Sequence, residues 1–247
     1  MKIYKILIKV VLPIFAVTLI LNLFPNPVLS QTKVSFEAQN AGKKFKNFSF
    51  GMGASYSNNS SLVDFIKLDF PNYNINSTAG NIKDLDVGVE FFGSAEFQIS
   101  QNWSLKGEYA YFTKTITLPA GTSYSYSYNS HVPLLNISYI KRSGFLFMKF
   151  GVGGGYDYST FTKTVGISEA KYTTSGFIIK PEVTANAQIS NSVAGYISGF
   201  VDLKFSGDLK DSDGNLPPSQ APVVGGTHVN LNSQGIGVRL GLSFYIF

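Results

Sequence analysis

Leu85-Asp86-Val87-Gly88-Val89-Glu90-Phe91-Phe92-Gly93-Ser94-Ala95-Glu96-Phe97-Gln98-Ile99-Ser100 is the stretch on which the fold turns. Its odd positions are apolar or small, and its even positions are polar, charged or glycine apart from Phe92. A period of two puts successive side chains on opposite faces of a β-strand. The alternation runs about three times the usual strand length of roughly five or six residues. Gly235 to Phe247 repeats it, with Ile236, Val238, Leu240, Leu242, Phe244 and Ile246 on one face and Arg239 on the other. Long strands with one greasy face and one charged face predict a barrel turned inside out, with lipid outside and a polar interior.

Six further segments carry the same pattern. They run near Lys46 to Ser57, Trp103 to Leu118, Tyr128 to Ile140, Phe145 to Phe161, Tyr172 to Ser190 and Val193 to Phe205. Eight strands in all are expected. Connections after the second, fourth and sixth are tight: Gln101-Asn102, Lys141 to Gly144 and Asn191-Ser192. Those after the first, third, fifth and seventh are expected to be longer and polar, notably Asn58 to Asp84 and Ser206 to Asn230. That sorting predicts an all-β, eight-stranded antiparallel up-and-down transmembrane barrel with both termini on the periplasmic side. Pro181 lacks a ladder donor, and a bulge is expected beside it.

The first thirty residues stand apart from this pattern. Lys2, Lys5 and Lys9 precede an apolar run from Val10 to Phe24, and Pro25 and Pro27 lead into Val28-Leu29-Ser30. This reads as a signal peptide cleaved after Ser30, with an N-terminal membrane anchor as the alternative. Residues 31–45 then form a periplasmic N-terminal segment and 46–247 the barrel. The chain has no Cys, which excludes a disulfide framework and a lipoprotein anchor. Taking the three leader lysines from the formal net charge of +5 leaves about +2, with no basic stripe, so nucleic acid is not an expected partner.

With the apolar faces turned outward, seven acids fall inside: Asp86, Glu90, Glu96, Glu108, Asp157, Glu182 and Asp202. Six bases join them: Lys106, Lys114, Lys149, Lys180, Lys204 and Arg239. An eight-stranded barrel is just wide enough for side chains to fill it. The near balance of charge predicts an internal ion-pair network that plugs the lumen, with a narrow or gated conduit as the alternative. Trp103, Tyr139 and Phe145 near one rim, and Tyr156, Tyr158 and the Tyr124-Ser125-Tyr126-Ser127-Tyr128 run near the other, suit aromatic girdles. The tyrosine run is alternatively a contact for carbohydrate or protein.

These features together resemble the small bacterial outer-membrane β-barrels of the OmpA/OmpX type. The leader, the eight alternating segments, the three tight turns and the terminal Phe244-Tyr245-Ile246-Phe247 carry the resemblance. Pro133 to Tyr139, followed by Gly151-Val152-Gly153-Gly154-Gly155, also looks like the PorT-like barrels common in Bacteroidetes. The resemblance implies residence in the outer membrane, contact with its lipid, and handling of the last strand by the barrel-assembly machinery during biogenesis. In one respect the terminus departs from the pattern. Phe247 and Tyr245 share parity with Arg239, so either Phe247 extends past the strand or a bulge shifts the register.

Chemistry has little to work with in this sequence. Its two histidines, His131 and His228, fall where loops are expected to meet strands. An outer-membrane acyl hydrolase would need a serine and an acid around one of them, and no spaced triad is visible. Neither a cofactor nor a metal site is expected. Asp208, Asp211 and Asp213 lack the rest of a calcium loop and read as an exposed acidic turn, and Gly151 to Gly155 lacks the helix of a phosphate loop. The first long loop holds Leu62, Val63, Phe65, Ile66, Leu68 and Phe70, which suits either a partner surface or a cap over the mouth. The expectation is a monomeric, non-enzymatic barrel with a structural or binding role through its outer loops, toward an unidentified extracellular or periplasmic partner. A small porin-like passive pore is the alternative.

Overall fold

The computed structural model describes residues 46–69, 87–120, 122–143, 146–190, 192–218 and 228–246. Eight strands follow one another: β1 (Lys46–Asn58), β2 (Val87–Ser100), β3 (Trp103–Ala120), β4 (Thr122–Ser143), β5 (Leu146–Val165), β6 (Ser168–Gln188), β7 (Val193–Ser206) and β8 (Ser233–Ile246). One helix, α1 (Ser60–Asp69), lies in the first long connection. Each strand pairs antiparallel with its chain neighbours, and β1 closes on β8, so the sheet is a barrel with no free edge. Residues 1–45, which include the expected signal peptide, and Asp86, Phe145 and Phe247 lie outside the described residues.

Period two in the sequence becomes period two in burial. Glu90, Glu96, Lys149, Asp157, Lys180 and Arg239 are buried, while Phe50, Phe91, Val152 and Leu240 are about half exposed. The inside-out distribution is therefore real. The exposed apolar side chains form a belt, bounded at the short-turn end by Trp103 packed edge-on against Tyr139 (centroids 5.5 Å apart). Its other boundary holds Tyr109, Tyr156 and Tyr158, all exposed. From Met148 to Tyr158 on β5 the chain rises about 25 Å, at about 3.3 Å per residue and a tilt of about 40°. That matches the roughly 25 Å apolar band of outer-membrane barrels.

Four strands are longer than the sequence pattern suggests. β3, β4, β5 and β6 continue past the belt, and register is unbroken to Ala120↔Thr122 and Val165↔Ser168. The connections after β3 and β5 are therefore tight hairpins rather than long loops. Gly166 supplies the positive φ (58°) that the second of them needs. Only the connections after β1 and β7 are long. The extensions escape an apolar-alternation reading because their outward residues are mostly Thr and Ser, with Lys171 and Glu169 on β6, which keep the strand but not the hydrophobic face.

Two other expectations are corrected. β6 keeps one register on both sides of Pro181, so no bulge forms there; the shift lies between Gln98 and Ser100 on β2. The β7 pairing resumes in the same register at Glu182, so the missing proline N–H is absorbed without a slip. β8 likewise runs in constant register against β1 through Ile246, which points Phe244 and Ile246 outward and leaves Tyr245 buried inside. No bulge shifts the last strand.

Candidate functional site

The barrel interior and the mouth above it form a stack of layers. Nearest the short turns, Lys149 pairs with Glu96, whose oxygens also accept from Ser104 (2.5 Å) and Asn47 (2.9 Å). Above them, Lys106 lies between Glu108 (3.0 Å) and Glu182. Arg239 binds Glu90 and Glu108, the latter at 2.8 Å, and Lys180 reaches Glu90 at 3.2 Å and Asp202 at 3.8 Å. Higher still, Lys204 meets Asp157 (3.1 Å), which also accepts from Ser130 and Ser159. Lys114 donates to Ser57 (3.1 Å). Of the thirteen charges assigned to the interior by parity, those that the structure describes all point inward.

Interleaved rings complete this packing. The Arg239 guanidinium sits between Phe92 (4.6 Å) and Phe200 (4.7 Å), and Lys180 lies 4.2 Å from the Phe200 ring centre. Aromatic faces attract these cations and exclude water from them. Glycine makes the room: a Cβ on Gly237 would fall 2.2 Å from the Phe200 ring, and one on Gly53 2.8 Å from the Arg239 side chain. Phe92 stands out in the sequence as the one large apolar side chain on its polar face, and Phe200 shares parity with Ser198, Asp202 and Lys204 on β7, so alternation turns both rings inward. Two small voids lie among these groups. One chamber of about 20 Å³ lies beneath Leu62, between Lys114, Lys204 and Glu90. A second, also about 20 Å³, lies between Glu96, Lys106 and Arg239. Each has room for about one water.

Helix α1 packs against the inner faces of the extended strands. The Asn59 side chain accepts the Leu62 amide N–H at 2.9 Å and caps the first turn. Leu62, Phe65 and Ile66, at helical spacing, are 1%, 1% and 0% exposed and pack on Ile116, Tyr126 and Phe161 of the extended strands and on Leu209, Val229 and Leu231 of the last long loop. The described part of the apolar loop is therefore a packed cap and not an exposed patch, while Phe70 and the Leu68 side chain lie outside the described residues. At the end of the helix the buried Asp69 binds Lys163 (2.6 Å) and accepts from the Tyr126 hydroxyl (3.0 Å). This latch is not legible in the sequence, because its three residues come from distant segments. The tyrosine run is reassigned with it: Tyr126 and Tyr128 are buried inside beneath the lid, so they form neither a girdle nor a contact surface.

Both histidines lie away from the charged interior. On the outer face, His131 Nδ1 is 2.6 Å from the Tyr109 hydroxyl, and the ring lies 5.0 Å from that of Tyr111. His228 pairs with Asp208 (2.7 Å) in the last loop. Neither has a serine hydroxyl among its described hydrogen-bond partners. The Asp211 carboxylate accepts from the Asn215 backbone (2.8 Å) and side chain (3.1 Å) and from the Asp213 N–H (2.9 Å). Those bonds, Asn215 foremost, hold its carboxyl below the usual range. No group of three or more metal-ligating side chains occurs among the described residues.

No protein-family model matches the sequence, and no curated protein matches it. Solved structures are similar in fold. A major outer membrane protein from Thermus thermophilus superimposes with a TM-score of 0.50 at 13% identity, covering 81% of this chain and 99% of that one. Ail, the attachment invasion locus protein of Yersinia pestis, gives 0.46 at 7% identity over 82% and 98%. Neisserial surface protein A gives 0.44 at 8% identity over 81% and 96%.

Proposed function

We propose that this chain is an integral protein of a bacterial outer membrane whose barrel is closed to solute flow. Its role is structural or binding, exercised through the lid and loops at the outer surface. The carrying observation is the exposed apolar belt around a charged interior. Phe48, Leu135, Phe177 and Leu240 are between 51% and 63% exposed, whereas the charges at the level of the belt, Glu90, Glu108, Lys180 and Arg239 among them, lie inside. In water such a belt would be a severe aggregation liability; in a bilayer it is the lipid contact. A monomer suffices to satisfy it, since closure leaves no edge to pair.

Three features support a plugged lumen. The ion pairs cross the barrel from β2 and β3 to β6 and β8, aromatic rings fill the gaps between them, and α1 roofs the mouth. The two chambers of about 20 Å³ lie on either side of the Arg239 cluster. The proposal assigns no catalysis: His131 is held by Tyr109 and His228 by Asp208, on different parts of the surface.

Planar-bilayer recording tests the closed reading. The purified protein is expected to insert, judged by heat-modifiable migration, without unit conductance steps. Reproducible openings from the wild-type chain would replace this reading with the passive pore. Surface fractionation after expression with its leader checks the location, and recovery in the soluble fraction would overturn it.

A further inference from the structure

Above the belt, the outer face of the β3–β6 extension changes character at a single level. The aromatic boundary at Tyr109, Tyr111, His131 and Tyr158 gives way at once to rows of neutral hydroxyls. Register places Thr115, Ser127 and Thr162 side by side across three strands, and Thr117, Ser125 and Thr164 in the next row. All are exposed or half-buried. Neighbours stand about 4.8 Å apart across strands and about 6.6 Å along them. At the β6 edge of this face, Lys171 and Lys210, the latter bridged to Thr173, are accompanied by Glu169 and Asp211, so the charges balance and the rows carry no net cationic cluster that would select phosphate.

The array is also pre-ordered. Thr115 and Ser127 hydroxyls are 2.9 Å apart, and at the level between these rows and the aromatic boundary Asn129 Oδ1 accepts from both Thr113 (2.7 Å) and Tyr111 (3.0 Å). Behind it the strands are braced by the lid core, with Tyr126 and Phe161 stacked 6.0 Å apart. A rigid lattice of donors and acceptors loses little side-chain entropy when it meets a partner. In the sequence this is the other half of the tyrosine run: in Tyr124 to Tyr128 the serines face out where the tyrosines face in.

We propose that this face is a contact surface for the neutral sugar headgroups of glycolipids in the surface leaflet. The inference rests on the outer-membrane reading, because a bilayer that ends at the aromatic boundary places headgroups directly against these rows. Sugar hydroxyls both donate and accept, as Ser and Thr do, and need no counter-charge.

The test uses the full chain reconstituted in phosphatidylethanolamine vesicles with or without a diglucosyl diacylglycerol, a sugar-bearing lipid without phosphate. The expected result is an upward shift of about 3 °C in the thermal midpoint of barrel unfolding when the glycolipid is present. The variant Thr115→Val/Ser127→Ala/Thr162→Val, which keeps strand propensity and touches no interior group, should match wild type without glycolipid and lose the shift. Ser127→Ala alone should lose part of it. An equal shift in the triple variant would overturn the proposal, as would no shift in wild type. The free disaccharide producing the same shift would place the partner in solution instead of the membrane and overturn it too. Failure to insert into either vesicle would instead sink the outer-membrane reading itself.

Discussion

Arg239 shows how one residue organises the interior. It is 1% exposed, it binds Glu90 and Glu108, and it lies between two phenyl rings. Taking a charge out of water costs several kcal/mol, and only partners of this quality offset it. Removing the cation leaves the acids without that partner. Arg239→Met is expected to destabilise the folded barrel by about 3–5 kcal/mol in urea titration. Adding Glu90→Gln should recover part of the loss. If Arg239→Met is neutral, the network does not hold the fold together. That Arg239 points inward is readable from parity alone. That it faces Glu90 and Glu108, which lie 149 and 131 residues earlier in the chain, is not.

At the scale of elements, the lid and the extended strands are the features that the alternation pattern does not announce. Leu62, Phe65 and Ile66 have helical spacing, yet a single helix of ten residues is marginal without packing. Its burial on the strand extensions stabilises it, at about 1.5–3 kcal/mol for each fully buried large side chain. Asp69 is unfavourable at a helix C-terminus, where the dipole prefers cations, so its retention depends on Lys163 and Tyr126. Asp69→Asn should therefore loosen the lid and leave the barrel intact. Limited proteolysis is expected to cut within residues 60–69 several-fold faster, with heat-modifiable migration unchanged. Equal cleavage rates would show that the apolar contacts alone hold the lid.

For the whole molecule, the sign of a surface substitution reports the solvent. Leu240 is 59% exposed, and in a water-soluble protein Leu240→Lys would be near neutral. Against lipid the same change near the middle of the belt is expected to cost about 2–4 kcal/mol. Reversible unfolding in vesicles measures it, and a change below about 0.5 kcal/mol would remove lipid from that face. The pairing of β1 with β8 makes this a closed surface, so every outward strand position within the belt meets the same solvent.

Strand number, the sidedness of the charges and the outward apolar face were determined by the sequence itself, because period-two alternation is a local property that any strand must express. Tertiary structure decided what lies beyond that period: the added length of β3 to β6, the direction of the tyrosine run, the lid, and the partner of each charge. The extensions carry mostly Thr and Ser outside, so their strand character shows only once neighbours pair. The ion pairs join residues far apart in the chain, and barrel closure and register alone bring them within hydrogen-bond reach.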